Sequence, residues 1–451
     1  MLSFDPGDSA YLAELAEFVA FPSISRDASS ATMHQAAQWL AAQLTDVGGR
    51  VVAQPNGHPA VMGEWLGAPG TPTVLVYGHY DVHPTGADAE WVTPPFELTV
   101  DGDVVRGRGA SDDKGPVYIV LKTVQAFLAQ EGRLPLNVKF LFEGEEEIGS
   151  PHLADFLTAH AAQLAADLVI SADGAMWRPD EPSVAVKSKG LVAMDIVVEG
   201  ASTDLHSGRY GGTVANPLHA LADILASLHR PDGKVAVVGF YDGIPELTPE
   251  RRRELAAIDF DVTRYLADLG LTEPHGEPGF TTLERLWERP TLEVNGVHGG
   301  GKYTVIPHVA VANVSCRLVP GQDPAAVLEA VTAHVAAQPA PGVRVQVHGD
   351  DAGVAAYTIP AGHPAITAAT AALEAVYPGQ QVLQTAIPGT LPAAALFEEL
   401  LGVKTLFFSF STADEKLHAP NEYLRIRRLR EGMRAWEHLW RQLAGGGGQH
   451  D

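Results

Sequence analysis

The sequence predicts an α/β protein: a mixed, mostly parallel sheet covered by helices, with a smaller two-layer α+β domain inserted into it. Three observations carry this. Short, fully apolar runs alternate with helix-period segments in the first third of the chain. After Lys187 the texture changes to strands and helices in β-α-(insert)-β-α-β order. After Pro360 the first texture returns. The expected division is therefore a discontinuous outer domain, residues 1–187 and 356–451, around an insert at 188–355.

Asp8 to Ala20 is helical in period, with Leu12, Leu15 and Val19 on one face, and Thr32 to Leu44 follows with Met33, Ala36, Ala37 and Leu40 inward. Apolar strands at 73–77 and 138–142 flank a helix from Pro116 to Gln130, the strand–helix–strand order of a parallel sheet. In the insert, Leu191–Val198, Val309–Leu318 and Val343–Val347 read as strands, and Asn216–Leu228 and Pro324–Ala337 as helices. The stretch 232–300 reads as irregular, with a helical piece around Pro249–Leu269. Beyond Pro360 the expectation is helix at His363–Val376 and Ala393–Leu401, strand at 404–410, and a closing helix at 423–443. The run from Gly445 to Gly448 is flexible linker sequence.

With 451 residues the chain is too long for one ordinary core. A formal charge of -24 argues against nucleic acid or an anionic membrane as the main partner, since both would be repelled. No run approaches ~20 uncharged apolar residues. The start, Met1 to Pro6, has neither the basic nor the apolar part of a signal peptide, so the expected compartment is the cytoplasm. Cys316 is the one cysteine, which excludes an intramolecular disulfide and a cysteine zinc site. It sits in an alternating strand and reads as a small buried residue rather than a nucleophile.

Four apolar runs each deliver a metal-type ligand at or soon after their ends. Thr73–Tyr77 leads to His79 and Asp81, Val138–Phe142 to the acids Glu143, Glu145, Glu146 and Glu147, Leu168–Ile170 to Asp173, and Thr405–Phe408 to a loop reaching His418. Open α/β sheets bind ligands outside the carboxyl ends of their strands, so one site is expected there. A ligand set of Asp, Glu and His without cysteine suits a hydrolytic metal site. Side chains two apart on a strand share a face, so His79 can bind a metal while Asp81 contacts the imidazole or an adjacent group. The turn Arg106–Gly115 reads as a surface turn, as a phosphate cradle of unfamiliar spacing, or as the support of Asp112 as a ligand shared by two metals. In the acidic run one residue can ligate while its neighbour takes a proton from water. His79, Asp112, Glu147, Asp173 and His418 make a plausible dinuclear set, with His79 and Asp173 on one metal, Glu147 and His418 on the other, and Asp112 shared. His58, His152, His229 and His348 lack such context and read as structural or exposed.

Three blocks carry a family resemblance: Gly78-His79-Tyr80-Asp81-Val82-His83-Pro84, Gly107-Arg108-Gly109-Ala110-Ser111-Asp112-Asp113-Lys114-Gly115, and Glu143-Gly144-Glu145-Glu146-Glu147-Ile148-Gly149-Ser150. They resemble the signature blocks of the M20 metallopeptidases, over nearly the whole chain. The resemblance implies two divalent metal ions, zinc or manganese, on His79, Asp112, Glu147, Asp173 and His418. It implies Glu146 as general base, Asp81 as the residue orienting His79, and a cis peptide after Asp112. It also implies that the insert is a lid and the surface of a homodimer. Asp204-Leu205-His206-Ser207-Gly208-Arg209-Tyr210-Gly211-Gly212 is similar to the carnosinase-like dipeptidase branch, where this histidine reaches the partner subunit's site and stabilises the oxyanion. Arg317 matches the family's arginine for the substrate carboxylate, and Thr304 a lid position that approaches substrate. The late loop departs from the family pattern: Pro388-Gly389-Thr390-Leu391-Pro392 is preceded by Ala386-Ile387, without polar residues. Gly389 and Thr390 can still offer backbone and hydroxyl contacts to substrate.

The activity expected from these readings is hydrolysis of dipeptides or small peptides by metal-activated water. Two alternatives stand beside it: a deacylase of N-acyl amino acids with the same chemistry, and a silent metal- or peptide-binding protein, against which the intact Glu146 argues.

Overall fold

The computed structural model describes residues 1–4, 9–26, 30–301, 303–349 and 353–445. Asp8 and the glycines from Gly446 to Gly448, on which two expectations fall, lie outside the described residues, as does Lys302. The chain divides into two compact units: Met1–Val186, Ile359–Ile387 and Pro392–Asp451 in one, and Lys187–Thr358 with Pro388–Leu391 in the other. No helix among the described residues is long and apolar enough to cross a membrane.

The first unit is organised by a large sheet. Its strands run in the spatial order Arg50–Val52, Ala60–Trp65, Asn137–Glu143, Thr73–His79, Leu168–Ser171, Thr405–Phe407, Ser183–Ser188. The four strands from Asn137–Glu143 to Thr405–Phe407 are parallel, and the pairings on either side of them are antiparallel. Val74, Leu75, Val76, Phe140, Leu141, Val169 and Ile170 are all fully buried, because helices cover both faces of a parallel sheet and leave no polar alternation. Leu75, Tyr77, Leu141 and Val169 pack with Phe156 and Leu157 of helix Leu153–Leu164 and with Phe397. The other face meets helix Lys114–Glu131. At Gly78 a Cβ would come within 2.7 Å of both Asp113 Oδ2 and Val117 Cγ2, so only glycine lets that helix approach the strand beside His79. Helix Ile426–Gly445 lies outside it, where Trp440 stacks on Phe127 and Trp436 meets Phe408 edge-on.

Register brings the site residues level. His79 is the Cα partner of Glu143, Tyr77 that of Ser171, and Ser171 that of Phe407. The carboxyl ends of four parallel strands therefore finish in one row, and the segments that follow carry Asp81, Glu146, Glu147, Asp173 and the loop to His418.

The second unit has a four-stranded antiparallel sheet in the order Thr291–His298, Val309–Leu318, Gly190–Glu199, Arg344–Gly349. Val192, Met194, Ile196 and Val198 alternate with half-buried residues and join Ala310, Ala312, Val314 and Cys316 in one core. Helices Pro217–Ser227 and Pro324–Ala336 pack on it through Leu221, Ile224, Val327 and Val331. Asn216 and Asp323 cap them with side-chain oxygens, each followed by proline at the first helical position. Cys316 is fully buried and its thiol is pushed up to about 12, chiefly by burial, which agrees with a packing role.

Three expectations about elements are corrected. The stretch 232–300 is more ordered than its composition suggests: beyond helices Pro249–Ala256 and Val262–Asp268 it holds helix Thr282–Glu288 and the edge strand Thr291–His298. Glu293, Asn295 and Gly296 broke the strand pattern, and a bulge sits between Val294 and Gly296. Thr281 and Glu284 form a capping box that marks the start of the helix. The strand at 404–410 is only Thr405–Phe407 long. Tyr423–Arg425 is a strand paired with Val104–Arg106, and the closing helix begins at Ile426.

Candidate metal centre

The structure brings the five residues of the dinuclear set into two groups of candidate ligand atoms joined at Asp112. His79, Asp112 and Asp173 offer donor atoms within 4.8 Å of one another, and so do Asp112, Glu147 and His418. His79 Nε2 lies 3.1 Å from Asp112 Oδ1, and His418 Nε2 lies 3.0 Å from Asp112 Oδ2 and 3.1 Å from Glu147 Oε2. One carboxylate thus faces both histidines, one oxygen to each. The Asp112–Asp113 peptide is cis.

The backbone around these ligands is held by buried acids: Asp81, Glu143 and Glu145, which the sequence had already offered as site residues, and Glu422, which sequence reasoning did not single out. Asp81, fully buried, accepts the Glu146 N–H at 3.2 Å and the Glu147 N–H at 3.0 Å. It also meets His79 Nδ1, through its carbonyl at 3.0 Å and its carboxylate at 3.3 Å. Asp81 therefore touches His79 and in addition anchors the acidic turn. Glu143 accepts from Tyr77 Oη at 2.7 Å and Ser150 Oγ at 2.9 Å. Glu145 accepts from Gln54 Nε2 at 2.8 Å and the His58 N–H at 3.0 Å, and pairs with His152. Glu422 receives Arg108 and three backbone N–H groups of the turn before Asp112. The His418 ring stacks on His83 with centroids 4.5 Å apart, and His418 itself has φ +61, a conformation uncommon for a residue with a side chain. The only sequence signals for these supports were charged residues inside apolar or Gly-rich turns. Such signals are too common to select Glu422 or Arg108.

Electrostatics at the centre are dominated by crowded carboxylates. Burial pushes Asp173 up to about 7, with the charges of Asp112 and Glu147 adding to it and His79 opposing. Burial also raises Glu146 well above the usual carboxylate range, and the Asp173 and Glu147 charges add to the shift. For Asp112 burial acts the same way, but hydrogen bonds from His418 and His79 hold its carboxyl well below the usual range. Hydrogen bonds to Asp112 and Glu147 raise His418 to about 10. Burial alone would lower His79, but its bonds to Asp112 and Asp81 prevail and raise it.

This donor set fits divalent metal ions. Glu147 Oε1 is buried with no hydrogen-bond partner, an acceptor that a cation would satisfy. Two neutral imidazoles and three carboxylates, with Asp112 able to bridge, match a two-metal hydrolytic site in type and number.

The remaining predicted residues lie in the second unit. His206 is exposed at the end of the short strand Leu205–His206, which pairs with Val305–Ile306, and the Ser207 N–H donates to the Thr304 carbonyl. Arg317 is half-buried and its Nη1 donates to Thr390 Oγ1 at 2.9 Å, while the Gly389 carbonyl accepts the Lys189 N–H. The structure thus groups Arg317 with Thr390, and Thr304 with the His206 segment. Of the histidines read as structural, His58 contacts the Ser25 carbonyl and His152 contacts Glu145.

Histidines and carboxylates grouped at the ends of parallel strands are the donor set of a metal-dependent hydrolase. The chain belongs to peptidase family M20/M25/M40, whose profile matches residues 75–442. It is 31% identical over 350 residues to the Cys-Gly metallodipeptidase dug1 of Schizosaccharomyces pombe, covering 73% of this chain and 74% of that protein. It is 29% identical over 401 residues to the human Beta-Ala-His dipeptidase, covering 86% of this chain and 78% of that protein. The solved structure of the M20 family metallo-carboxypeptidase Sso-CP2 from Sulfolobus solfataricus matches with a TM-score of 0.85 at 31% identity, across 96% of this chain and 99% of that one.

The raised imidazoles make a prediction with a definite sign. Bonds to Asp112 and its neighbouring carboxylates raise both His79 and His418, so the expectation is that a metal displaces protons from both rings when it binds. Zinc titration at pH 7 in buffers of different ionisation enthalpy should show release of at least about two protons per protein, one from each imidazole and a further fraction from Asp173, and weaker affinity as pH falls. Heats independent of the buffer would contradict this.

Proposed function

We propose that this chain is a metal-dependent dipeptidase in which Glu146 is the general base and His79, Asp112, Glu147, Asp173 and His418 hold two divalent ions. The observation that carries the reading is the sharing of Asp112 by the two ligand groups, with Glu146 close enough to Asp173 and Glu147 to feel their charges. Bound ions there would polarise the scissile carbonyl and acidify a coordinated water. Glu146 takes the proton of the attacking water and later gives it to the leaving amine. Its raised proton affinity favours both transfers near neutral pH. Asp81 keeps Glu146 and Glu147 in place through their backbone N–H groups. Zinc is the expected metal, with manganese as the alternative, since both suit histidine and carboxylate donors.

Substrate binding falls to the second unit. Arg317 anchors the terminal carboxylate of the dipeptide, with Thr390 bonded to its guanidinium and Gly389 and Thr304 as further contacts. His206 stabilises the oxyanion in the site of a partner subunit, which makes the active form a homodimer built through this unit. Its Nδ1 accepts the Gly208 N–H at 3.0 Å, which puts the ring proton on Nε2 and leaves that group as a donor, as an oxyanion requires. The names of the dipeptidase relatives support free dipeptides as substrates. The compartment proposed is the cytoplasm.

Two experiments test this. Purified protein with zinc or manganese should release amines from free dipeptides, and more slowly, if at all, from N-acetyl and N-succinyl amino acids. Glu146→Ala should lower kcat by at least 100-fold with both metals retained, the scale of lost general-base catalysis. Turnover of the acylated substrates alone would move the enzyme to the deacylases, and an active Glu146→Ala would remove that residue from the mechanism. For the trans role, His206→Ala and Glu146→Ala should each be inactive as pure proteins. Co-expressed, they should recover activity in mixed dimers, where one site has both residues intact. No recovery in a verified mixed dimer would contradict a trans-acting His206.

A further inference from the structure

Asp112 and His418 come from parts of the chain that no sequence pattern links, yet both must present lone pairs to one ion if the proposed function holds. Two buried carboxylates join these parts. Glu422, fully buried, accepts the N–H groups of Gly109 at 3.0 Å, Ser111 at 2.8 Å and Asp112 at 3.0 Å. It also accepts Arg108 Nη1 at 2.8 Å, and Arg108 is itself buried. Glu415, also fully buried, accepts Ser111 Oγ at 2.6 Å, the Thr412 N–H at 3.1 Å and Arg425. Ser111 and Glu422 are 311 residues apart in sequence. Glu415 and Glu422 bracket His418 in the chain, and His418 has the left-handed φ that lets this loop turn back. The loop carrying one ligand therefore grips, on both sides of that ligand, the turn carrying the other.

We propose that Glu422, with Glu415 beside it, is a positioning residue for the metal centre: its carboxylate sets the backbone at Asp112 in register with His418 and so builds the ion site shared by Asp112, Glu147 and His418. The role goes beyond folding, because the bonds end on the backbone N–H of the bridging ligand itself. It rests on the metal reading given above. Carboxylates that orient ligands in this way typically contribute 10- to 100-fold to metal affinity.

The test is cobalt and zinc titration of the metal-free protein against a chelating indicator, with thermal unfolding of each variant in chelator as the control for folding. Glu422→Gln keeps the shape but leaves Arg108 without its charge partner. A second variant, Arg108→Met/Glu422→Gln, removes that buried cation. The expected result is the ion beside Glu147 and His418 bound about 10- to 100-fold more weakly in both variants, and the ion beside His79 and Asp173, which shares Asp112, weakened less, with an altered cobalt spectrum. His418→Ala should weaken the first of these ions. Wild-type affinity for both ions in Glu422→Gln, or full recovery of affinity in the double variant, would overturn the positioning role. If His418→Ala weakens one ion while Glu422→Gln does not, the positioning role alone fails. If neither variant weakens any ion, the two-metal reading fails with it.

Discussion

Carboxylates crowded together at the ends of four parallel strands repel one another, and the rest of the structure is arranged around that constraint. The charges of Asp112 and Glu147 raise the proton affinity of both Glu146 and Asp173, and Asp173 adds to that of Glu146. Burial makes the repulsion stronger than it would be in water. Without a metal, the His79 and His418 rings answer part of this charge, one at each oxygen of Asp112. Divalent ions would answer it better, since they would also satisfy the bare Glu147 oxygen. The chemistry follows from the same crowding: a carboxylate whose proton affinity has been raised beside a Lewis acid is suited to move a proton during amide hydrolysis.

The fold supplies this arrangement by register more than by local sequence. Four parallel strands finish level, so residues from positions 79, 147, 173 and 418 meet around Asp112 although the chain separates them widely. The support is correspondingly non-local. Asp81 fastens the acidic turn, and Glu422 fastens the turn before Asp112. A loss at either position leaves a buried charge or several N–H groups without a partner, which makes these acids more consequential than exposed ion pairs elsewhere on the surface.

Much of the centre could be read from the chain because buried parallel strands have a strong signature. Val74 to Tyr77 are apolar on both faces and Val138 to Phe142 are interrupted only by Lys139, so polar residues just beyond them stand out as site candidates. The supports had no such signature. Glu422 follows Pro420 and Asn421 in what reads as an ordinary polar loop, and its partners Arg108 and Ser111 sit in a Gly-rich turn. Only the folded backbone shows that the two segments touch. The same limit applies to secondary structure. Thr291–His298 pairs along Val309–Leu318 despite Glu293, Asn295 and Gly296, because an edge strand needs a partner on one side and tolerates a bulge. Tyr423–Arg425 pairs with Val104–Arg106, a partner that helical periodicity gives no means of seeing.

The central claim is that Asp112 joins two metal ions in one centre. Crystals of the zinc-loaded protein, with anomalous diffraction measured on both sides of the zinc edge, address it directly. The account predicts two anomalous peaks about 3.5–4 Å apart, one beside His79 and Asp173 and the other beside Glu147 and His418, with a carboxylate oxygen of Asp112 directed at each. A single fully occupied peak, or two peaks with Asp112 turned away from either, would contradict it.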